Sequence, residues 1–295
     1  MPVLEPELLK AFVAVAERGG FTAACHALAR SQSTVSMQIR RLEDAVGRPL
    51  FSRTTHAVRL TAEGEILLGY AHRLLALGEE AVCAARGGEA PVLLRIGCVE
   101  DWAVRVLPER LSALRRTEVN VQVEVTTDTS AALLSRLGHH YDLVVCMHAP
   151  GTGRGRILSR QRLVWGVPAG RMDLANERPL PLALHPEGCL YRRWATRALD
   201  QAAIGWRAVY TSAGVGAVEA AVRSGLALSA FPASTLAPGL APASPGSGLP
   251  ALPQVEVAAH LAESAPRAAG RLCDLLVDTD AGTDQRDASL NAANV

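Results

Sequence analysis

The chain has 295 residues, 49% hydrophobic and 20% charged, with a formal net charge of +1, which is length enough for two or three domains with cores of their own. The balance is that of an ordinary globular protein, and a net charge so near zero neither points to nucleic acid nor argues against it. No apolar run reaches about 18 residues, which excludes a membrane-spanning helix. The N-terminus carries Glu5 and Glu7 where a secretory signal needs a basic and then an apolar stretch, so a cytoplasmic protein is expected.

Residues 5–18 read as a first helix, with Leu8, Phe12 and Val15 facing inward and Leu9, Val13 and Ala16 beside them. Gly19-Gly20 stops it, and Phe21 and Thr22 restart the chain as N′ and N-cap of a second helix. A tight turn falls near Arg30 and Ser31, and the Ser31 hydroxyl is placed to cap a third helix. That helix carries Val35, Ile39 and Leu42 as one apolar stripe, opposite a face with Ser33, Thr34, Met37, Arg40 and Arg41. Spacing alone fits either a major-groove reader or a helical hairpin with a solvated charged face. Gly47 ends the helix, and residues 48–59 read as an extended hairpin with the polar tip Ser52-Arg53-Thr54-Thr55-His56. Between Phe21 and Leu60 six arginines (Arg30, Arg40, Arg41, Arg48, Arg53, Arg59) face only Glu43 and Asp44, a local excess of four positive charges suited to phosphate contacts.

The run Ala27-Leu28-x-x-Ser31-Gln32-Ser33-x-Val35-Ser36-x-Gln38-Ile39-x-x-Leu42-Glu43, followed by Val46-Gly47, Leu50-Phe51, Arg53, Val58, Leu60-Thr61 and Gly64, resembles the LysR-type transcriptional regulators across the first 65 or so residues. The resemblance implies a sequence-specific DNA-binding regulator rather than an enzyme, with a winged helix-turn-helix over residues 1–60 whose hairpin is the wing. It assigns DNA contact to Thr22, Ser31, Gln32, Ser33, Thr34, Ser36, Met37, Arg40, Arg53 and His56. Ser36 suits a cap or a phosphate as well as a base. Two positions depart from the family, because an Arg often stands at the place of His56 and an Arg or another polar residue at the place of Met37. Weaker or more AT-tolerant readout is expected at both, since Met can touch a thymine methyl but cannot read guanine.

Thr61 is expected to cap a long helix that runs to about Arg86 and is ended by Gly87-Gly88, making residues 61–88 a linker and dimerisation segment, with Glu63 and Glu65 in its first turn to suit the macrodipole. Its stripe of Leu67, Tyr70, Leu74, Leu77 and Ala81 needs a partner, either its own domain or a symmetric copy. The resemblance favours the second, with dimers presenting two recognition helices to a pseudo-palindromic promoter site and tetramers commonly built from them.

From Pro91 strands and helices alternate, which implies parallel α/β packing. Strands are expected at 93–99, 119–126, 143–147, 163–167, 180–185, 207–210, 226–231 and 255–260, with helices at 102–116, 130–137, 190–203, 215–224 and 267–277 and a Pro/Gly/Ser-rich loop at 238–253. The pattern predicts a two-lobed domain over residues 89–278 of the periplasmic-binding-protein type II-like kind. Lobe I would take about 91–162 and 231–278, and lobe II about 163–230. This matches the family's effector-binding domain in layout more than in motif, and this half alone also looks like a solute-binding protein, against which the N-terminal 90 residues argue. Residues 279–295 are polar and aperiodic, and a disordered tail is expected.

The crevice beyond the strand ends is the default ligand site, and its expected lining is Val99, Glu100, Asp101, Thr126, Thr127, Met147, His148, Thr211 and Ser212. Helix starts there favour an anion, whereas Glu100 and Asp101, if they line the cleft rather than cap a helix toward water, favour a cationic, amine-bearing or neutral effector of unknown identity. His139, His140, Asp142, Cys146 and His148 are the only grouping with metal-ligand chemistry, and their spread along the chain argues against a compact site, so no metal or other cofactor is expected. The six cysteines (Cys25, Cys83, Cys98, Cys146, Cys189, Cys273) form no C-x-x-C pair and read as core or surface thiols. No G-x-S-x-G, Walker or G-x-G-x-x-G motif appears. The expected partners are double-stranded promoter DNA, a small effector, a second copy of the chain and, for an activator, RNA polymerase, with no membrane.

Overall fold

The computed structural model describes residues 4–53, 58–86 and 91–277. Packing divides it into two compact units: Met1–Arg95 with Val119–Glu124 and Gly138–Asp142, and Ile96–Glu118 with Val125–Leu137 and Leu143–Val295.

In the first unit α1 (Pro6–Glu17) opens on a proline, whose missing N–H is no loss in a first turn, and buries Leu8, Leu9, Ala11, Phe12 and Val15. α2 (Phe21–Leu28) begins two residues earlier than the sequence suggests. Its N-cap is Gly20 rather than Thr22, because Phe21 is drawn against the core, edge-on to Phe51 at 6.0 Å between ring centroids. α3 (Gln32–Val46) is capped by Ser31, whose Oγ accepts from the Thr34 N–H at 3.2 Å. Gly47 ends it at a φ of 74°, in the left-handed region that favours glycine. Val35, Ile39 and Leu42 are fully buried, so the inward stripe is realised. β1 (Phe51–Arg53) and β2 (Val58–Leu60) pair antiparallel, and the Glu43 carboxylate accepts from the Leu50 N–H at 2.8 Å, tying the hairpin to α3.

α4 (Ala62–Ala85) starts under Thr61, whose Oγ1 accepts from the Gly64 N–H at 3.0 Å and donates to the Pro49 carbonyl at 2.8 Å. Leu68 and Ala71 enter the core, with Leu67 and Leu75 packed beside them. Leu67 therefore faces its own domain, which corrects its expected place in the partner-seeking stripe. Ile66 replaces it in an exposed row with Tyr70, Leu74, Leu77 and Val82. Within this unit α4 also meets residues 138–142. Arg73 Nη1 donates to the Gly138 carbonyl at 3.2 Å, His140 lies 3.2 Å from Glu65, and the Tyr70 and His139 rings are 5.5 Å apart. Gly69 makes that approach possible, since a Cβ there would fall 1.5 Å from the His139 carbonyl oxygen.

The remaining elements alternate as expected: β3 (Val92–Cys98), α5 (Glu100–Arg105), α6 (Leu107–Thr117), β4 (Val121–Thr127), α7 (Ser130–Ser135), β5 (Leu143–His148), β6 (Arg156–Pro168), β7 (Leu180–Leu184), α8 (Leu190–Gln201), β8 (Trp206–Thr211), α9 (Val215–Arg223), β9 (Ser229–Pro232), β10 (Leu240–Pro242), β11 (Gln254–Leu261) and α10 (Arg267–Val277). Three expectations need correction. The single helix at 102–116 is two, broken at Val106 because Pro108 accepts only a helix start. The loop at 238–253 contains β10, which pairs antiparallel with the end of β6. The sheet is mixed rather than parallel, in the order β10-β6-β11-β5-β3-β4 with β9 also on β6. β3 and β5 are parallel, whereas β11 runs antiparallel to both β5 and β6.

β6, at 13 residues, is far longer than the expected 163–167. Its first half pairs with β11 and its second with β9 and β10. β7 and β8 form a separate parallel pair. Leu180, Leu182 and Leu184 of β7 pack with Ala195 and Leu199 of α8, while Ala183 faces Val218 and Val222 of α9. A strand covered on both faces reads as a continuous apolar run, and that is how residues 180–184 read. Among the described residues no helix is long and apolar enough to cross a membrane.

Candidate functional site

The outer face of α3 presents Gln32, Ser33, Met37 and Arg40 to solvent, with Thr34 and Ser36 half-buried beside them and Thr22 exposed on α2. Ser31 Oγ lies 2.8 Å from both Ser33 Oγ and Thr34 Oγ1, so the start of α3 carries a connected set of hydroxyls. Met37 is 55% exposed, so its side chain is free to meet a partner surface. Arg53 lies on β1, and His56 lies outside the described residues. The positive excess of this region is smaller in space than in sequence. Arg41 Nη2 lies 2.8 Å from Glu5, and Arg30 Nη2 lies 2.5 Å from Glu7. The Arg30 guanidinium holds the Glu7 carboxyl below its ordinary pKa. Arg40, Arg48 and Arg59 form no ion pair among the described residues.

In the second unit a cavity of about 330 Å³ opens at the ends of β5, β7 and β8, at the small end of the range for ligand pockets. Of the expected residues, Val99, Glu100, Asp101, Thr127 and Met147 line it. Thr126, His148, Thr211 and Ser212 are not among its lining residues. Successive strand residues point to opposite faces, so Met147 and His148 do not share the cavity, nor do Thr126 and Thr127. After β8 the chain presents Ala213 and Val215 instead, while the Ser212 hydroxyl turns back to accept from the Gly214 N–H at 3.2 Å. The loop after β7 supplies His185 and Glu187, and the first turn of α8 supplies Tyr191, none of which the sequence assigns. Their position past a strand end and at a helix start was the available signal.

The lining is acidic: Glu100, Asp101, Asp128 and Glu187 contribute to it, and no Lys or Arg does. Asp101 is 4% exposed, and its Oδ1 accepts from Arg105 Nε at 2.8 Å. Arg105 also pairs with Glu219, so one guanidinium serves two carboxylates. Burial pushes the Asp101 carboxyl up despite that partner. Its Oδ2 and the Tyr191 hydroxyl are buried without a hydrogen-bond partner. Burial also lowers the His185 pKa, favouring neutral imidazole, and raises the Tyr191 phenol well above its usual range. An orphaned carboxylate oxygen is a costly acceptor, which a ligand N–H would satisfy.

The five-residue metal-type grouping does not assemble. His139 and His140 face α4, and the Asp142 carboxylate accepts from the Arg95 N–H at 2.8 Å. All six cysteines are free, and burial pushes the Cys98 and Cys146 thiols far up, Cys146 to about 12.

A capped recognition-type helix with a small wing, followed by an α/β domain with a cavity at its strand ends, defines a ligand-responsive DNA-binding regulator. The family model for bacterial regulatory helix-turn-helix proteins of the lysR family matches residues 6–65, and that for the LysR substrate binding domain matches residues 88–280. The transcriptional regulator DgdR of Burkholderia cepacia is 34% identical over 86% of this chain and 86% of its own length, and PecT of Dickeya dadantii is 31% identical over 85% and 79%. Among solved structures, ArgP from Mycobacterium tuberculosis superimposes with a TM-score of 0.71 at 21% identity, covering 95% of this chain and 98% of its own. Full-length CbnR, solved in complex with its target DNA, gives 0.58 at 25%, covering 92% and 99%. The chain belongs to the LysR family: it is a DNA-binding transcriptional regulator with a substrate-binding domain, and not an enzyme.

Proposed function

We propose that this regulator reads a pseudo-palindromic promoter site as a dimer, or as a tetramer built from two dimers, in the cytoplasm, and that an amine-bearing small molecule in the 330 Å³ cavity controls it. In this reading residues 1–60 bind DNA, 61–88 pair copies of the chain, and 89–278 sense the effector. Gln32, Ser33, Thr34, Met37 and Arg40 face the major groove, Ser31, Ser36 and Thr22 support the phosphate contacts, and Arg53 and His56 belong to the wing. An activating role would add RNA polymerase as a partner. The exposed row Tyr70, Leu74 and Leu77 supports pairing through α4.

One observation carries the effector class: the cavity gathers four carboxylates and no Lys or Arg, and one carboxylate has a buried oxygen without a donor. An ammonium group supplies the charge and the N–H bonds that this lining lacks, while a dicarboxylate would meet repulsion.

Sequencing of protein-bound genomic DNA, with wild type and Arg40→Ala, tests the first half. A short palindrome enriched by wild type and weakened by Arg40→Ala is expected, at about 1–3 kcal/mol for a lost base contact. Equal enrichment in both would remove Arg40 from the interface. Thermal-shift screening of matched diamines and dicarboxylates tests the second half. Stabilisation by amines that is lost in Glu100→Gln supports it, and stabilisation by dicarboxylates alone would refute it.

A further inference from the structure

Cys146 and His148 lie two residues apart on β5 and therefore share a face. In the antiparallel register Cys146 stands opposite Ala258, and His260 stands opposite Val144, which puts His260 on that same face. The two imidazoles lean toward each other across Ala258. Cys146 Sγ is 3.3 Å from His148 Nε2, which in turn is 2.9 Å from His260 Nε2. All three ligand atoms fall within 4.8 Å of one another.

Protons alone serve this arrangement poorly. His148 Nε2 has one proton or one lone pair to offer, and it meets both a thiol and a second ring nitrogen. Burial lowers the pKa of both histidines toward the neutral imidazole that a metal needs, and it raises the Cys146 thiol to about 12, so the ion itself must displace that proton. Glycines close over the rings. A Cβ at Gly153 would lie 2.9 Å from the His148 ring, and one at Gly155 would lie 2.8 Å from the His260 ring. Beside this cluster the β11–β6 register shifts between Val257 and Ala258, an irregularity of the kind that re-aims side chains next to sites.

We propose that Cys146, His148 and His260 form a binding site for one thiophilic transition-metal ion of the zinc type. Bonds of about 2.0–2.1 Å to nitrogen and about 2.3 Å to sulfur in a tetrahedron put N and N about 3.3 Å apart and N and S about 3.6 Å apart. The observed 2.9 and 3.3 Å need to open by a few tenths, and the separation of Cys146 Sγ from His260 Nε2, which lies within 4.8 Å, must settle at about 3.6 Å. Two imidazoles and a thiolate suit zinc, or its cobalt surrogate, over magnesium or calcium. The fourth position is left to solvent or to an added ligand. On binding, the Cys146 S–H proton passes to the buffer and the thiolate bonds the ion, with no redox change. The ion ties β5 to β11.

Metal-free, reduced full-length protein titrated with Zn²⁺ or Co²⁺ tests this. One ion per chain is expected, with about one proton released per ion and a thiolate-to-cobalt charge-transfer band. Cys146→Ser should remove the band. His148 and His260 are half-buried, so His260→Gln keeps the fold by circular dichroism and should weaken Zn²⁺ binding by about 100-fold. A charge-transfer band that persists in Cys146→Ser would place the metal on one of the other five cysteines and overturn the proposal. So would Zn²⁺ binding by wild type no tighter than by the double variant His148→Asn/His260→Gln.

Discussion

A methyl group at position 69 sets two opposing effects against each other. In an open helix Gly→Ala stabilises by about 0.5–1 kcal/mol, because glycine loses more backbone freedom on folding. At Gly69 the new Cβ would lie 1.5 Å from the His139 carbonyl oxygen and 2.2 Å from its carbonyl carbon. Both neighbours are backbone, so residues 138–142 must withdraw from α4. That movement breaks the Arg73–Gly138 hydrogen bond, the Glu65–His140 contact and the Tyr70–His139 ring contact. A hydrogen bond from a charged donor contributes about 1.5–3 kcal/mol, an exposed ion pair about 0–1, and a ring pair about 0.5–1.5. Against the helix gain, the net expectation for Gly69→Ala is a loss of about 1–5 kcal/mol in urea unfolding.

His72, on the same helix, gives a local readout. Burial, with Arg95 and His140 nearby, lowers its pKa to about 4, although Glu17 lies 3.3 Å away. Glu17 is half exposed and well solvated, so the desolvation of the ring outweighs it. Between pH 6.5 and about 4 the unfolded chain takes a proton at His72 that the folded chain refuses. Wild-type stability therefore falls as the pH drops through that window, by on the order of 3 kcal/mol from this group. In Gly69→Ala, His72 should titrate closer to its ordinary value in an NMR series, and the acid loss should shrink. A variant as stable as wild type, with His72 still titrating near 4, would show that α4 and residues 138–142 do not meet in this way.

Two further substitutions separate stability from assembly. Ile39→Ala removes a fully buried side chain from the inner face of α3. It should cost about 2–5 kcal/mol in denaturant unfolding, and a loss below about 1 kcal/mol would mean that this stripe is not packed as described. Leu77→Glu changes a side chain that is 59% exposed. It should alter unfolding of the monomer by less than about 0.5 kcal/mol and yet weaken self-association by at least about tenfold in sedimentation, the equivalent of about 1.4 kcal/mol. Unchanged association would take α4 out of the pairing surface.

Legibility in the sequence followed how local the determinant was. The Ser31 cap, the Val35–Ile39–Leu42 stripe and the Gly47 stop each depend on neighbours within one or two turns, and the structure shows all three. The break between α5 and α6 was equally local, since Pro108 states it, but the run of apolar residues around it reads as one helix. Leu67 and Ile66 were exchanged because a stripe at three- and four-residue spacing does not say which side of a helix its own domain takes. The cavity was half visible. Val99, Glu100 and Asp101 follow one strand end, whereas His185 and Tyr191 reach the same space from more than 80 residues along the chain. His260 could join Cys146 and His148 only through the antiparallel register of β11 on β5, which no spacing along the chain records.

Glu5 at the N-cap of α1 and Glu7 in its first turn, which hold Arg41 and Arg30, bear on how the protein searches a chromosome. Each arginine that reaches a phosphate releases condensed counterions and steepens the fall of affinity with salt, by about 0.9 in logarithmic slope. Arg30 and Arg41 meet DNA already neutralised by Glu7 and Glu5. Each exposed pair must open before its arginine reaches a phosphate, so both arginines are expected to add less to random-duplex binding and to its salt dependence. In the proposed reading the base contacts come from the outer face of α3, which these two ion pairs leave free, so the ratio of target to random binding is expected to grow even as total charge attraction shrinks.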